Sequence, residues 1–105
     1  MTVIKATDTD FKKIIADNDK VVVKFFADWC GTCRLFTPKF KRLSDDPHYE
    51  GVTFLDVDAE ESLEARKIAG VDNLPFFATF KNGELFEAKA TAMEEKVVIM
   101  IQNLE

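Results

Sequence analysis

The residues from Val21 to Ala27 constrain the fold more than any other segment of the chain. Their sequence, Val-Val-Val-Lys-Phe-Phe-Ala, is β-branched and aromatic, with Lys24 as its one polar member. A strand that is covered on both faces has this composition, because neither face meets water. We therefore predict a central strand in a sheet that has helices on both sides.

The segments around this strand alternate in type along the chain. The predicted strands are Thr2–Ala6, Val21–Ala27, Val52–Val57, Phe76–Phe80 and Leu85–Ala88. Helical periodicity covers Phe11–Ile15, Cys30–Ser44, Ser62–Ala69 and Val97–Leu104. Asn82-Gly83 between the last two strands predicts a hairpin, so one pair is antiparallel and the sheet is mixed. This order of elements predicts an α/β fold.

Polar residues at the predicted helix ends suggest how those ends are stabilised. Thr7 or Asp8 is placed to cap the first helix, and Thr91 with Glu94 has the spacing of a capping box before the last helix. We interpret Glu60 as part of a solvated helix end.

The size and charge of the chain limit its organisation and its partners. A length of 105 residues predicts a single domain over residues 1–105. The formal net charge of −5 argues against binding to nucleic acid or to an anionic membrane. The apolar runs are far shorter than the roughly 20 residues that span a bilayer, and Met1–Lys5 lacks the apolar region of a secretory signal. We therefore expect a cytoplasmic protein without membrane contact.

The two cysteines of the chain, Cys30 and Cys33, follow the predicted central strand and open a helix. Their spacing lets the sulfurs close a disulfide within one helical turn. Helix N–H groups and the positive end of the helix dipole favour a thiolate at Cys30. Gly31 and Thr32 keep the turn small, and Trp29 offers an exposed aromatic surface beside it. The pattern predicts a reactive dithiol in which Cys30 attacks and Cys33 resolves.

A structural zinc site is the first alternative for such a pair. Zinc takes four ligands, and His48 is the only other obvious candidate, so a second cysteine pair is missing. An inert pair of buried cysteines is the second alternative, but a strand, Cys-x-x-Cys and a helix in succession form a more specific context. We expect redox chemistry, with no metal and no cofactor.

The cysteine motif and several other segments match the sequence pattern of a known protein family. The matching segments are Ala27-Asp28-Trp29-Cys30-Gly31-Thr32-Cys33-Arg34, Pro38, Leu74-Pro75 and Phe80-Lys81-Asn82-Gly83. Through them the chain resembles the thioredoxin family over nearly its whole length. The resemblance implies the thioredoxin fold, a five-stranded mixed β-sheet flanked by four α-helices.

The resemblance also implies a function and roles for individual residues. Cys30 would attack a disulfide of a protein substrate, and Cys33 would then displace the reduced product. Pro75 would follow a cis peptide bond and face the sulfurs, while the backbone of Leu74 would pair with the substrate as a strand does. The implied activity is protein-disulfide reduction in electron transport and cell redox homeostasis, with a thioredoxin reductase as the partner that recharges the dithiol.

Three residues near the implied site depart from the family pattern. Thr32 replaces a proline, and the resemblance implies that other residues there accompany more oxidising disulfides. Phe76 replaces the threonine after the cis-proline, and Thr91 replaces a glycine before the last helix. These two changes would alter the surface on which substrates dock. They leave room for an alternative function, a binding, scaffold or holdase module with secondary redox activity.

The fourth departure is Lys24, six residues before Cys30, where the family carries a buried acid that accepts the proton of the resolving thiol. A buried ammonium is costly unless it is paired. Asp56 occupies the position where many thioredoxins carry the lysine that partners this acid. We predict that Lys24 and Asp56 form that pair with its charges exchanged. The alternative is that Lys24 reaches the surface and Asp56 is solvated.

Overall fold

A computed structural model describes residues 2–105. Its strands are Val3–Ala6 (β1), Lys20–Phe26 (β2), Thr53–Asp58 (β3), Phe76–Lys81 (β4) and Glu84–Ala90 (β5). Its helices are Phe11–Asp17 (α1), Gly31–Ser44 (α2), Leu63–Ala69 (α3) and Glu94–Gln102 (α4), with a short 3-10 helix at Pro47–Tyr49. The predicted order of strands and helices is confirmed.

The five strands form one mixed sheet in the order β1-β3-β2-β4-β5. Strand β3 runs parallel to β1 and β2, whereas β4 is antiparallel to both β2 and β5. The central position predicted for β2 is confirmed. The hairpin between β4 and β5 is confirmed as well, and its turn residues Asn82 and Gly83 have φ values of 53° and 84°. Asn-Gly suits such a turn because both residues tolerate positive φ.

The side chains of β2 alternate between two apolar layers, because successive residues of a strand point to opposite faces. Val21, Val23 and Phe25 pack on the side of α1 and α3, in a layer that includes Phe11, Ile15, Leu55, Val57, Ala65, Ala69, Phe76 and Phe80. Val22 packs on the side of α2 and α4, with Phe36, Phe40, Leu43, Phe54, Phe77, Val97, Met100 and Ile101. Lys24 follows Val22 on this second face, so the one fully buried charged group of the strand lies beneath α2.

Two predicted helix caps are wrong. Asp8 does not cap α1; its carboxylate accepts hydrogen bonds from the backbone N–H groups of Glu64 at 3.0 Å and Ala65 at 2.9 Å. It thereby caps α3, because the parallel strands β1 and β3 bring the two connections that follow them side by side. Thr91 accepts from the N–H of Met93 at 3.1 Å, and α4 begins at Glu94 without a side-chain cap.

Candidate active site

The two cysteines lie at the N-terminus of α2, directly after the central strand. They are joined by a disulfide bond, with their Cα atoms 5.3 Å apart. Cys30 is the N-cap residue, and its Sγ accepts a hydrogen bond from the backbone N–H of Cys33 at 3.2 Å. In the reduced protein, this N–H and the positive end of the helix dipole stabilise a thiolate at Cys30.

The residues beside the disulfide differ widely in exposure. Trp29 is 67% exposed, whereas Cys30 and Cys33 are 5% and 1% exposed. Cys30 is therefore the more accessible cysteine, although both are largely covered. A Cβ at Gly31 would meet nothing closer than the Arg34 guanidinium at 4.0 Å. The space around Gly31 is therefore open.

Trp29 is held by a residue that sequence reasoning did not assign to the site. Its indole N–H donates to Oε2 of Glu60 at 2.8 Å. Glu60 therefore orients the Trp29 ring and is not simply a solvated residue at a helix end. The two residues are 31 positions apart, and no local spacing rule connects them. The pairing of β2 with β3 creates the contact, because it places Phe26 beside Asp58 at the ends of the two strands.

The Leu74–Pro75 peptide bond is cis, as predicted, and Leu74 packs against the small cluster formed by Ala27, Cys30 and Cys33. A groove of about 230 Å³ runs beside it, lined by Thr32, Asn73, Leu74, Pro75, Ala90, Thr91 and Ala92. The N–H of Thr91 donates to the carbonyl of Pro75 at 3.2 Å. The N–H of Leu74 donates to Oδ1 of Asn73 at 2.9 Å. A strand that accepts a hydrogen bond from the N–H of Leu74 must therefore displace the Asn73 side chain.

Phe76 does not belong to this groove. It is 4% exposed and packs on Phe25 in the layer beneath α1 and α3, with ring centroids 6.3 Å apart. The expectation that Phe76 alters the docking surface is therefore wrong. A residue that follows the cis-proline at the start of a strand points into the core, and the scaffold alternative loses the support of this substitution.

Lys24 and Asp56 form the predicted buried pair. They are direct neighbours in the parallel register of β2 and β3. The Lys24 Nζ lies 3.4 Å from Asp56 Oδ1, and the two side chains are 2% and 13% exposed. Within residues 2–105 this Oδ1 has no hydrogen-bond partner, so the contact is an ion pair without a well-aligned hydrogen bond. The alternative of a surface-reaching lysine is wrong, because β2 is covered on both faces.

Burial dominates the ionisation of both members of the pair. It lowers the pKa of Lys24 despite the attraction of Asp56. It also raises the pKa of Asp56 despite the attraction of Lys24, with a smaller contribution from Lys5. Each shift favours the uncharged form. Protonation of Asp56 and deprotonation of Lys24 near neutral pH therefore cost less free energy than they do for the same groups in water.

A threonine that sequence reasoning missed connects the pair to the cysteines. The Lys24 ammonium donates to Oγ1 of Thr37 at 2.9 Å, and the Thr37 hydroxyl donates to the carbonyl of Cys33 at 3.2 Å. A cavity of about 250 Å³ lies along this connection, lined by Lys5, Lys24, Phe26, Ala27, Asp28, Cys33, Arg34, Thr37 and Asp56. The available signal was the spacing of four residues from Cys33 to Thr37, which places both on one helix face.

The remaining candidate residues lie apart from this site. His48 is on the surface, where its Nδ1 lies 2.9 Å from Oδ1 of Asp46. Within residues 2–105, no cluster of three or more histidine, cysteine or acidic side chains is arranged to hold a metal ion. No helix in the same range has the length and apolar character needed to cross a membrane.

Comparison with known proteins identifies the family. Residues 2–103 match the family model for thioredoxin. The chain belongs to the thioredoxin family. It is 38% identical over 94 residues to thioredoxin-1 of Schizosaccharomyces pombe, which covers 90% of this chain and 89% of that protein. Mitochondrial thioredoxin-3 of Saccharomyces cerevisiae is 34% identical over 93 residues, which covers 85% of this chain and 72% of that protein.

Solved thioredoxin structures have the same fold. The thioredoxin of Plasmodium falciparum superposes with a TM-score of 0.88 at 29% identity, covering 96% of this chain and 98% of that chain. The oxidised mitochondrial thioredoxin 3 of Saccharomyces cerevisiae gives a TM-score of 0.87 at 31% identity, covering 96% and 94%. Family membership and the Cys30–Cys33 disulfide together identify a protein thiol–disulfide oxidoreductase.

Proposed function

We propose that the chain reduces protein disulfides, with Cys30 as the attacking thiolate and Cys33 as the resolving thiol. The observation that carries this assignment is the position of Cys30 as the N-cap of α2, where its sulfur accepts from a helix N–H and the residue is the less buried of the two cysteines. A nucleophilic thiol needs both properties, since the thiolate is the attacking species and its partner must reach it.

The proposed reaction transfers two electrons in two displacements. The Cys30 thiolate bonds to one sulfur of the substrate disulfide, and the other substrate sulfur leaves as a thiolate. Cys33 then loses its proton and attacks Cys30 Sγ. The Cys30–Cys33 disulfide forms, and the second substrate sulfur leaves as a thiolate. The substrate is reduced, the dithiol is oxidised, and the proton of Cys33 needs an acceptor beneath the site.

Asp56 is the proposed acceptor of this proton, and Lys24 the group that favours the thiolates. Their position supports these roles, because the pair and Cys33 line the same cavity. A cation beneath the sulfurs stabilises the reduced form, so the disulfide becomes more oxidising than that of a typical family member. About 1.4 kcal/mol of such stabilisation corresponds to about 30 mV.

The proposed substrate surface includes the neighbours of Cys30, the more exposed of the two cysteines. Trp29 and Gly31 flank it in the sequence, and Thr32, Pro75 and Thr91 line the groove beside Leu74. The backbone of Leu74 offers the pairing edge for an extended substrate segment. This arrangement supports protein disulfides in extended segments as the substrate class.

A thioredoxin reductase is the proposed source of electrons. Support comes from a neighbour of 26% identity and TM-score 0.87, a thioredoxin f2 solved in complex with ferredoxin:thioredoxin reductase. We place the protein in the cytoplasm, where glutathione and thioredoxin systems keep thiols reduced. Residues 1–105 would act there as one domain in electron transport, which is supported by a single sheet packed on both faces.

Two serine variants test the proposed order of attack. Cys33→Ser should accumulate mixed disulfides with a protein substrate, because the first displacement proceeds and the second cannot. Cys30→Ser should accumulate none and should lose turnover in insulin reduction. Trapping by Cys30→Ser, or alkylation of Cys33 before Cys30 in the reduced wild type, would reverse the assignment. Cell fractionation that finds the protein in an organelle would contradict the cytoplasmic location.

A further inference from the structure

We propose that Thr37 is a positioning residue for the redox reaction: it holds the Lys24 ammonium beneath Cys33 and thereby promotes ionisation of the resolving thiol. Its hydroxyl lies between the two groups, 2.9 Å from Lys24 Nζ and 3.2 Å from the carbonyl oxygen of Cys33. A hydroxyl has one proton to donate and lone pairs to accept with, so it serves both bonds at once. The inference rests on the proposed role of Cys33.

Lys24 depends on Thr37 for its direction. Within residues 2–105, the Thr37 hydroxyl is the one hydrogen-bond acceptor of this ammonium, since Asp56 Oδ1 at 3.4 Å contributes attraction without a hydrogen bond. Asp56 attracts the charge towards β3, whereas Thr37 binds it on the α2 side, where the cysteines are. Thr37 therefore keeps the ammonium of Lys24 on the Cys33 side of its range, where it stabilises the thiolate of Cys33 most strongly.

The other charged groups around Cys33 are not held in this way. Lys5 from β1, Asp56 from β3, Asp28 from the connection after β2 and Arg34 from α2 line the same cavity. Of these, Arg34 donates to the backbone carbonyl of Asp28 and so is oriented along the outside of the turn. Lys24 is the charged side chain that a hydrogen bond links to the helical turn of Cys33, so the hydroxyl of Thr37 has a specific electrostatic role.

The hydroxyl can be removed with little change of shape. Thr37→Val replaces it with a methyl group, and the ammonium then shifts towards Asp56 or loses its proton. Both outcomes weaken the stabilisation of the Cys33 thiolate and raise the pKa of that thiol. Thr37→Ser keeps the hydroxyl. Thr79 provides a control for the loss of a threonine hydroxyl elsewhere in the protein. It is more deeply buried than Thr37, and its Oγ1 accepts one hydrogen bond, from the N–H of Glu87 at 3.1 Å on β5.

The first experiment measures the thiolate absorbance of Cys33 against pH in a Cys30→Ser background. The second measures the rate at which a preformed mixed disulfide at Cys30 is resolved. We expect Thr37→Val to move the Cys33 titration to higher pH and to slow resolution about three- to tenfold at neutral pH, since the thiolate fraction falls about tenfold when the thiol pKa rises by one. Thr37→Ser should restore both measurements to within about twofold, and Thr79→Val should leave both unchanged.

A background that lacks the cation separates positioning from packing. If Thr37 acts through Lys24, Thr37→Val in a Lys24→Met chain should not move the Cys33 titration further. An equal shift with and without Lys24, or an unchanged titration in a folded Thr37→Val protein, would overturn the inference. Thr37→Ala gives the same comparison if the valine does not fold. Failure of Cys33→Ser to trap a substrate would instead refute the proposed order of attack, which is a different result.

Discussion

Breaking the Lys24–Asp56 pair from one side should destabilise the protein more than removing it whole. At an effective dielectric constant of about 20, two charges 3.4 Å apart attract by about 5 kcal/mol. Burial offsets that attraction, as the opposite pKa shifts of the two groups indicate. We therefore expect each single variant to lose about 3–5 kcal/mol, because the survivor remains charged and unpaired.

The two single losses should not be equal. Lys24 is 2% exposed in its side chain and Asp56 is 13% exposed, so a lysine left alone is further from water than an aspartate left alone. Asp56→Leu should therefore cost about 4–5 kcal/mol and Lys24→Met about 3 kcal/mol. The double variant should lose less stability than either single variant, since replacing a buried ion pair with apolar residues is often neutral. The exchanged variant, Lys24→Asp with Asp56→Lys, should recover much of the stability.

Urea unfolding as a function of pH measures the energetic coupling between Lys24 and Asp56. It also shows whether that coupling comes from the ionisation of the two groups. The pKa of Asp56 is raised in the folded state, so the unfolding free energy should fall as the pH rises from about 3.8 through the folded value. The pKa of Lys24 is lowered, so the unfolding free energy should rise as the pH increases from the folded value towards about 10.5. In the double variant, the unfolding free energy should show neither of these two pH dependences. Additive single losses, or unchanged slopes in the double variant, would refute the pairing argument.

Two further predictions concern contacts that sequence reasoning missed. Asp8→Ala should lower the unfolding free energy in urea by about 1–2 kcal/mol, because two N–H groups of α3 lose the carboxylate oxygens that accept from them. Asp8→Asn should lose about half as much, because its single side-chain oxygen can accept from only one of the two N–H groups; equal losses in both variants would show that these acceptors are not the cause. Asn73→Ala should lower the KM for a protein disulfide by roughly two- to fivefold, because the N–H of Leu74 becomes free to pair with substrate; an unchanged or higher KM would contradict a competing role of Asn73.

The elements could be predicted from the sequence because their signals are local. The apolar run from Val21 identifies the central strand, Asn82-Gly83 identifies the hairpin, and the cysteine motif marks the start of α2. Lys24 could be paired with Asp56 because both lie on strands that the family resemblance aligns. Each of these inferences uses neighbours in sequence or a known pairing of strands.

The contacts that were missed depend on where different connections meet. Asp8 has the composition of a cap for the helix that follows it, yet the parallel pairing of β1 and β3 directs it to α3. Glu60 has the composition of a solvated helix end, yet the pairing of β2 and β3 brings it to Trp29. Residue type predicts that such a group accepts a hydrogen bond. It does not predict the donor, because the donor belongs to another part of the chain.

The antiparallel pairing of β2 with β4 has a consequence for how the specificity of such a site can change. Phe25 pairs with Phe76, so the end of β2 and the start of β4 meet at one edge of the sheet. The cysteine turn follows the first and the cis-proline precedes the second, so the ladder sets their separation. Substitutions at other residues of the groove, such as Asn73 and Thr91, can therefore remodel it for new partners while the distance from the sulfurs to Leu74 and Pro75 stays constant.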